Sequence, residues 1–254
     1  MIEQKALAYV NMYGVLGSLE NLCEIDDKAK TILKDLKSPV SLCFEVTDGP
    51  TCTFTFTKDG CKMHEGDNGC NAKMKFASVE KFNDLINNSK PGLPVKGLFT
   101  TLRFLLGPFT KLTDRLNEVL RPSKQDLENR EFFEENTLMT LYVIAGAVSA
   151  LANNDSISKI SANNTVDGDI QLAIPHRAVV TFNVKNHHFT TIKSASDNPR
   201  ATMAFADIDL ANGLFNGQVS TINEMCKGRI VIAGMISMID NVNRILDRVS
   251  VYLA

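Results

Sequence analysis

The chain has 254 residues, 44% hydrophobic and 22% charged, which is enough for one large domain or two of ordinary size. Its net charge of −2 gives no standing attraction to nucleic acid or to an anionic bilayer, and with no Trp it has no Trp-anchored interface or sugar platform. The start, MIEQKALAYVNMYG, lacks the basic, apolar and small-residue blocks of a secretory leader, so a cytoplasmic protein with reduced thiols is expected. In that opening segment Leu7, Val10, Val15, Leu16, Leu19 and Leu22 recur at helical spacing and predict a first helix.

A strand meander is predicted next. Leu42 to Val46 alternates, Asp48-Gly49-Pro50 turns the chain, and 51–57 places Cys52, Phe54 and Phe56 on one face with four Thr on the other. Lys58-Asp59-Gly60 turns it again into a short strand at 61–63. Asn68-Gly69 then signals a hairpin, after which Cys70, Ala72, Met74 and Phe76 face one way. Ser78 is a candidate cap for a short helix carrying Val79, Phe82, Leu85 and Ile86. In KPGLP (90–94), two prolines argue against a regular strand. A long amphipathic helix follows, with Leu102, Leu105, Leu106, Phe109, Leu112, Leu116 and Leu120 on one stripe, broken by Gly107-Pro108.

The order then repeats. GVLGSLEN (14–21) aligns with GAVSALAN (146–153), TFTF (53–56) with TFNV (181–184), and MKFASVEKFNDLIN (74–87) with MAFADIDLANGLFN (203–216). TDRLNEVL (113–120) aligns with LDRVSVYL (246–253), and all matches fall at offsets between 128 and 137. The boundaries read from this are 1–122 for the first domain, 123–129 for a linker and 130–254 for the second. The uncharged run 137–152 would span roughly 24 Å as a helix, short of a bilayer core of roughly 30 Å, and is read as a buried helix. The last helix carries Ile236, Ile239, Val242, Ile245, Leu246, Val249 and Leu253 on one stripe. An antiparallel sheet covered on one face by these helices defines an α+β layer fold.

Cys43, Cys52, Cys61 and Cys70 stand nine residues apart. A strand plus its turn has that length here, so the period is that of the meander. Strict antiparallel meandering would put Cys43 and Cys61 at one end of the sheet and Cys52 and Cys70 at the other. Cysteines at the same end would then be roughly 9–10 Å apart, beyond the reach of about 7 Å that a disulfide needs. Paired CxxC knuckles are absent, so no metal is expected. GxSxG, P-loop, HExxH and GxGxxG motifs are also absent, and no enzymatic activity or cofactor is expected. The adjacent pair His187-His188 is poorly placed to share a metal, because neighbours on a strand point to opposite faces.

GRIVIAGMISMIDNVNRIL (228–246) is similar to the glycine–basic–β-branched–glycine–apolar run near the end of sterol carrier protein domains. ATMAFADIDLANGLFNG (201–217) resembles the strand and short helix that precede that run in the family. The chain thus resembles two sterol-carrier-like domains in tandem. The resemblance implies a mostly antiparallel five-stranded sheet in each, with helices enclosing an apolar tunnel, and non-catalytic binding or transfer of a lipid such as a fatty acid, fatty acyl thioester, sterol or isoprenoid-like molecule. Candidate linings in the second domain are Val180, Phe182, Val184, Met203 and Phe205 from strands, with Leu214, Phe215, Met225, Met235, Met238 and Ile239 from helices and turns. The partners expected are a lipid ligand, a membrane in transient contact, and a second copy of the chain, with no nucleic acid. A scaffold or dimerisation module that has kept the fold without a tunnel is the alternative.

Overall fold

The computed structural model describes residues 2–87, 96–97 and 99–253. The chain divides into two compact units, Met1–Glu135 and Asn136–Ala254. The division falls inside a helix and not in the charged 123–129 segment.

In the first unit α1 (Gln4–Tyr9) passes through a π-helical turn, Val10–Val15, and a 3-10 turn, Leu16–Ser18, into α2 (Leu19–Ile25). Leu7, Val10, Leu16, Leu19 and Leu22 are buried along it. α3 (Asp27–Leu33) follows, then β1 (Val40–Val46), β2 (Thr51–Thr57), β3 (Gly60–Glu65), β4 (Ala72–Phe76), α4 (Val79–Asn87), β5 (Lys96–Gly97), α5 (Phe99–Phe104) and α6 (Thr110–Leu120). The proline pair at 90–94 lies outside the described residues. Gly107-Pro108 does not break the helical path as the sequence suggests. A π-helical turn, Leu105–Phe109, carries it through, and the Thr110 hydroxyl donates to the Leu105 carbonyl at 2.8 Å. Widening the turn accommodates a proline that has no N–H to give.

The second unit is built from α7 (Arg130–Asn154), which starts in the first, α8 (Ser158–Asn163), β6 (Gly168–Ile174), β7 (Ala178–Lys185), β8 (His188–Ile192), β9 (Ala201–Phe205), α9 (Ile208–Phe215), α10 (Thr221–Cys226), β10 (Ile230–Gly234) and α11 (Ile236–Leu253). α7 is long and apolar enough to cross a membrane by composition, but 61% of its apolar window is buried, and Met139, Leu141, Val148 and Leu151 lie in the core.

The strand orders are β3-β2-β1-β4-β5 and β8-β7-β6-β9-β10. Each sheet has one parallel ladder, β1 with β4 and β6 with β9, among antiparallel ones. This overturns strict meandering. After edge strand β3 the chain must cross β2 and β1 to reach its place beside β1, and segment 66–71 makes that crossing over the threonine face. Thr53 Oγ1 donates to the Gly66 carbonyl at 2.8 Å, and the Asn71 N–H donates to the Ser41 carbonyl at 2.9 Å. In the second unit Thr181 Oγ1 donates to the Ser194 carbonyl at 2.7 Å beneath the crossing at 193–200. Both threonines are buried, so each needs that partner.

The opposite face of each sheet carries the helices. In the first unit Phe44 meets Phe109, Phe56 meets Phe104, and Phe76 meets Phe82, with centroids 5.2–6.0 Å apart. In the second, Asn153 of α7 exchanges two hydrogen bonds with the backbone of Phe189, and α11 packs on β9 and β10.

A buried carboxylate ties the last helix of each unit to its early helices. Asp26 caps α3 by accepting the Ala29 N–H, and Arg115 of α6 grips it through Nε at 3.0 Å and Nη2 at 2.8 Å. Asp155 accepts from the Ser158 N–H at the start of α8, from Arg248 at 3.1 Å and from Tyr252 at 2.7 Å. Burial alone would raise the Asp155 pKa, but hydrogen bonds from Arg248, Tyr252 and Ser158 hold it down to about 2. Glu135 shares Arg115 at 2.9 Å; burial, then the neighbouring Asp26, push its pKa up to about 7.

Two outcomes follow. Arg248→Met, which leaves Asp155 buried without its cation, should cost about 3 kcal/mol in denaturant unfolding of the second unit; a change under about 0.5 kcal/mol contradicts the clasp. Because the Glu135 pKa is raised in the fold, its contribution is full below the ordinary value near 4.5 and is lost as pH rises through about 7. The melting temperature of Glu135→Gln should therefore gain on that of the parent between about pH 5 and 8, whereas parallel curves contradict the assignment.

Candidate functional site

The register sorts the proposed lining residues. Val180, Phe182 and Val184 of β7 lie on the same face as Ile170 and Leu172 of β6 and Met203 and Phe205 of β9. This is the helix-covered face. Val180 and Phe182 are 0% exposed, so no water-sized void touches them. Val184, Met203, Phe205, Met238 and Ile239 are also buried. The other four candidates lie nearer solvent. Leu214 and Phe215, at the end of α9, are half-buried, and Phe215 packs edge-on against Phe205 at 5.9 Å. Met225 and Met235 are 40% and 37% exposed.

Around these four is a set that sequence reasoning did not single out as a site. Val219, Ile222, Val231 and Ile236 are all exposed, with Ile222 at 73% and Ile236 at 70%. With Met225 and Met235 they leave a rim of exposed apolar side chains within 219–236, on α10, on edge strand β10 and in the turns beside it, Val231 being on the sheet face opposite to that of Met203 and Phe205. Ile236 and Leu253 were assigned to the stripe of the last helix, but both ends of it are exposed; Ile239, Val242, Ile245 and Val249 are buried and Leu246 is half-buried. The available signal was the length of α10. A six-residue helix has under two turns, too few to bury Ile222 and Met225, which sit three apart on one side.

Two glycines set this geometry. Gly228 has φ +70 and ends α10, with its N–H donating to Met225 and the next N–H, of Arg229, donating to Glu224. Gly234 has φ +79, and a Cβ there would come within 2.2 Å of the Arg200 carbonyl oxygen. Only glycine can close β10 against Arg200, whose carbonyl accepts the Met235 N–H at 2.8 Å. Buried Glu224 receives Lys227 at 2.7 Å and Arg229 at 2.9 Å, and Lys227 first, with Arg229, holds its carboxyl below the usual range. These ion pairs pin the turn between α10 and β10, so the rim is a shaped surface.

His64, His176, His187 and His188 are exposed, and His187 sits in the β7–β8 turn with φ +63. Cys226 is exposed at the end of α10. The first unit has an open cleft of about 780 Å³ beside β2 and β3, where Lys62 is paired with Glu20 at 3.1 Å. Its lining includes Cys23 and Cys61 together with the charged side chains of Glu24, Lys30 and Asp59.

No family profile matches the sequence, and no curated protein does either. Among solved structures the chain is similar to a UbiJ-SCP2 ubiquinone synthesis protein, with 11% identity, TM-score 0.35, and coverage of 44% of this chain and 96% of that one. It is also similar to sterol carrier protein domain 2 of Helicoverpa armigera, with 13% identity, TM-score 0.35, and coverage of 44% and 88%. A third is sterol carrier protein 2 like 2 of Aedes aegypti, with 11% identity, TM-score 0.31, and coverage of 41% and 94%.

Phe182→Ala should destabilise the second unit by about 3–4 kcal/mol, as expected for truncating a fully packed aromatic ring. A variant of parental stability would show instead that Phe182 borders free space.

Proposed function

We propose that the second unit binds a lipid without catalysis, holding its apolar part against Met225, Met235 and Ile236 of the rim and the half-buried Leu214 and Phe215. The reading rests on the exposed apolar side chains of Ile222, Met225, Met235 and Ile236, which flank a turn and a strand end that two glycines and two ion pairs hold in place. Apolar surface left in water is a standing cost, and clusters of it mark binding surfaces. A long-chain fatty acid or fatty acyl thioester gains about 0.8 kcal/mol per methylene it buries, so no polar motif is required for affinity. The two exposed methionines suit ligands of varied shape, because their unbranched side chains repack at low cost. Transient contact of this rim with a membrane is the route by which lipid reaches it, and cytoplasmic location is part of the same proposal.

One observation favours a second reading. Val180, Phe182, Met238 and Ile239 are sealed by their neighbours, which is what a protein module with a filled interior requires. In that case the rim and the β10 edge bind a second copy of the chain.

A titration with cis-parinaric acid separates the two. The parent chain should bind it saturably at micromolar concentration. Met235→Asp combined with Ile236→Asp should weaken binding by about tenfold or more, roughly 1.4 kcal/mol, with an unchanged circular dichroism spectrum. Absence of binding by the parent, or equal binding by the variant, defeats the lipid reading. If the parent is a dimer that the same substitutions split, the second reading replaces it.

A further inference from the structure

The crossing of segment 66–71 over the first sheet brings together side chains whose sequence spacing keeps them apart. Cys43 of β1 lies on the threonine face, beneath the crossing, and Cys70 lies at its far end. One ligand atom from each of Cys43, Asp67 and Cys70 falls within 4.8 Å of the others. Cys43 is buried, Cys70 half-buried and Asp67 exposed, so the cluster opens to solvent on one side. We propose that Cys43, Asp67 and Cys70 form a three-ligand site for a thiophilic divalent cation of the zinc class.

The donor set makes the choice of ion. Two sulfurs and one carboxylate oxygen suit a borderline-soft cation, whereas calcium and magnesium take shells of oxygen. Three protein ligands leave a fourth position for water on the solvent side. The surrounding charge also fits. Lys73 contacts Asp67 and sits 3.0 Å from Glu45, while Lys75 sits 2.8 Å from Glu45. Without metal, two thiols, two carboxylates and two ammonium groups sum to zero. With metal, two thiolates and two carboxylates give −4, and the cation with two lysines gives +4. Uptake therefore leaves the cluster neutral, the two thiol protons passing to solvent as two metal–sulfur bonds form. Lys73 is the outer partner that orients the Asp67 carboxylate, which also accepts the Gly69 N–H at 3.2 Å.

The second unit shows what the site replaces. Gln171 stands opposite Thr181 as Cys43 stands opposite Thr53. Its Oε1 accepts the Ser196 N–H at 3.2 Å, and Ser196 Oγ donates to Asp169 at 2.6 Å, so hydrogen bonds fasten that crossing. Where the second unit has this side-chain latch, the first has two thiols, and a bound cation would clamp its crossing to the sheet.

The test uses the full chain, reduced, with Cys226→Ser to remove the exposed thiol. Cobalt(II) is the probe. One equivalent should bind, with a near-ultraviolet thiolate-to-cobalt charge-transfer band, displacement by zinc(II), and release of two protons per metal. Adding Cys70→Ser, at a half-buried position that leaves the core intact, should remove the band, and Asp67→Asn should weaken binding by about tenfold. A band that survives Cys70→Ser, or no band in the parent, overturns the site. So does a Cys43–Cys70 disulfide formed by peroxide in a protein whose reduced form takes up no cobalt, since that outcome makes the pair a redox latch.

Discussion

One buried carboxylate positions the helical cover over each sheet. Asp26 and Asp155 each cap a short helix near the start of their unit and are each gripped by an arginine from its last helix. Burying a charge is costly unless every oxygen is met, and here helix N–H groups, a guanidinium and, for Asp155, the Tyr252 hydroxyl meet them. Asp155 anchors the C-terminal end of α11 at Arg248 and Tyr252, and the N-terminal end of that helix emerges at Met235 and Ile236. Both ends of that helix are therefore held, the N-terminal one by the Met235 N–H on the Arg200 carbonyl.

The alternating strands were legible because each has one buried face. Thr51–Thr57 was read residue for residue, its four threonines facing away from Phe54 and Phe56. The aligned residues carry equivalent interactions. Thr53 and Thr181 each hold a crossing segment, Arg115 and Arg248 each grip an aspartate, and Asn83 and Asn212 each hydrogen-bond the first helix of their unit. The aspartates themselves were missed. Their only local sign is an Asp three residues before the N–H it caps, a pattern too common to stand out.

The parallel strand was not legible. A turn signal such as Asn68-Gly69 says that the chain reverses, not which neighbour it reaches, and a long crossing looks like a hairpin in one dimension. That single difference in topology moved Cys70 from the far end of the sheet to the side of Cys43. The rim was hidden for another reason. Ile222, Val231 and Ile236 have the composition of core, and only the short length of α10 and the edge position of β10 leave them in water. Sealed positions such as Phe182 and open ones such as Met235 look alike in a hydrophobic pattern, although one supports the sheet and the other meets solvent.

The most direct measurement is a methyl-NMR titration of the full chain, carrying carbon-13 at its methionine methyls, with oleate below its micelle concentration. The account predicts saturable shifts at Met225 and Met235, with Met203 and Met238 largely unmoved beneath them. Methyl signals at Met225 and Met235 that stay in place while oleate is in excess would contradict it.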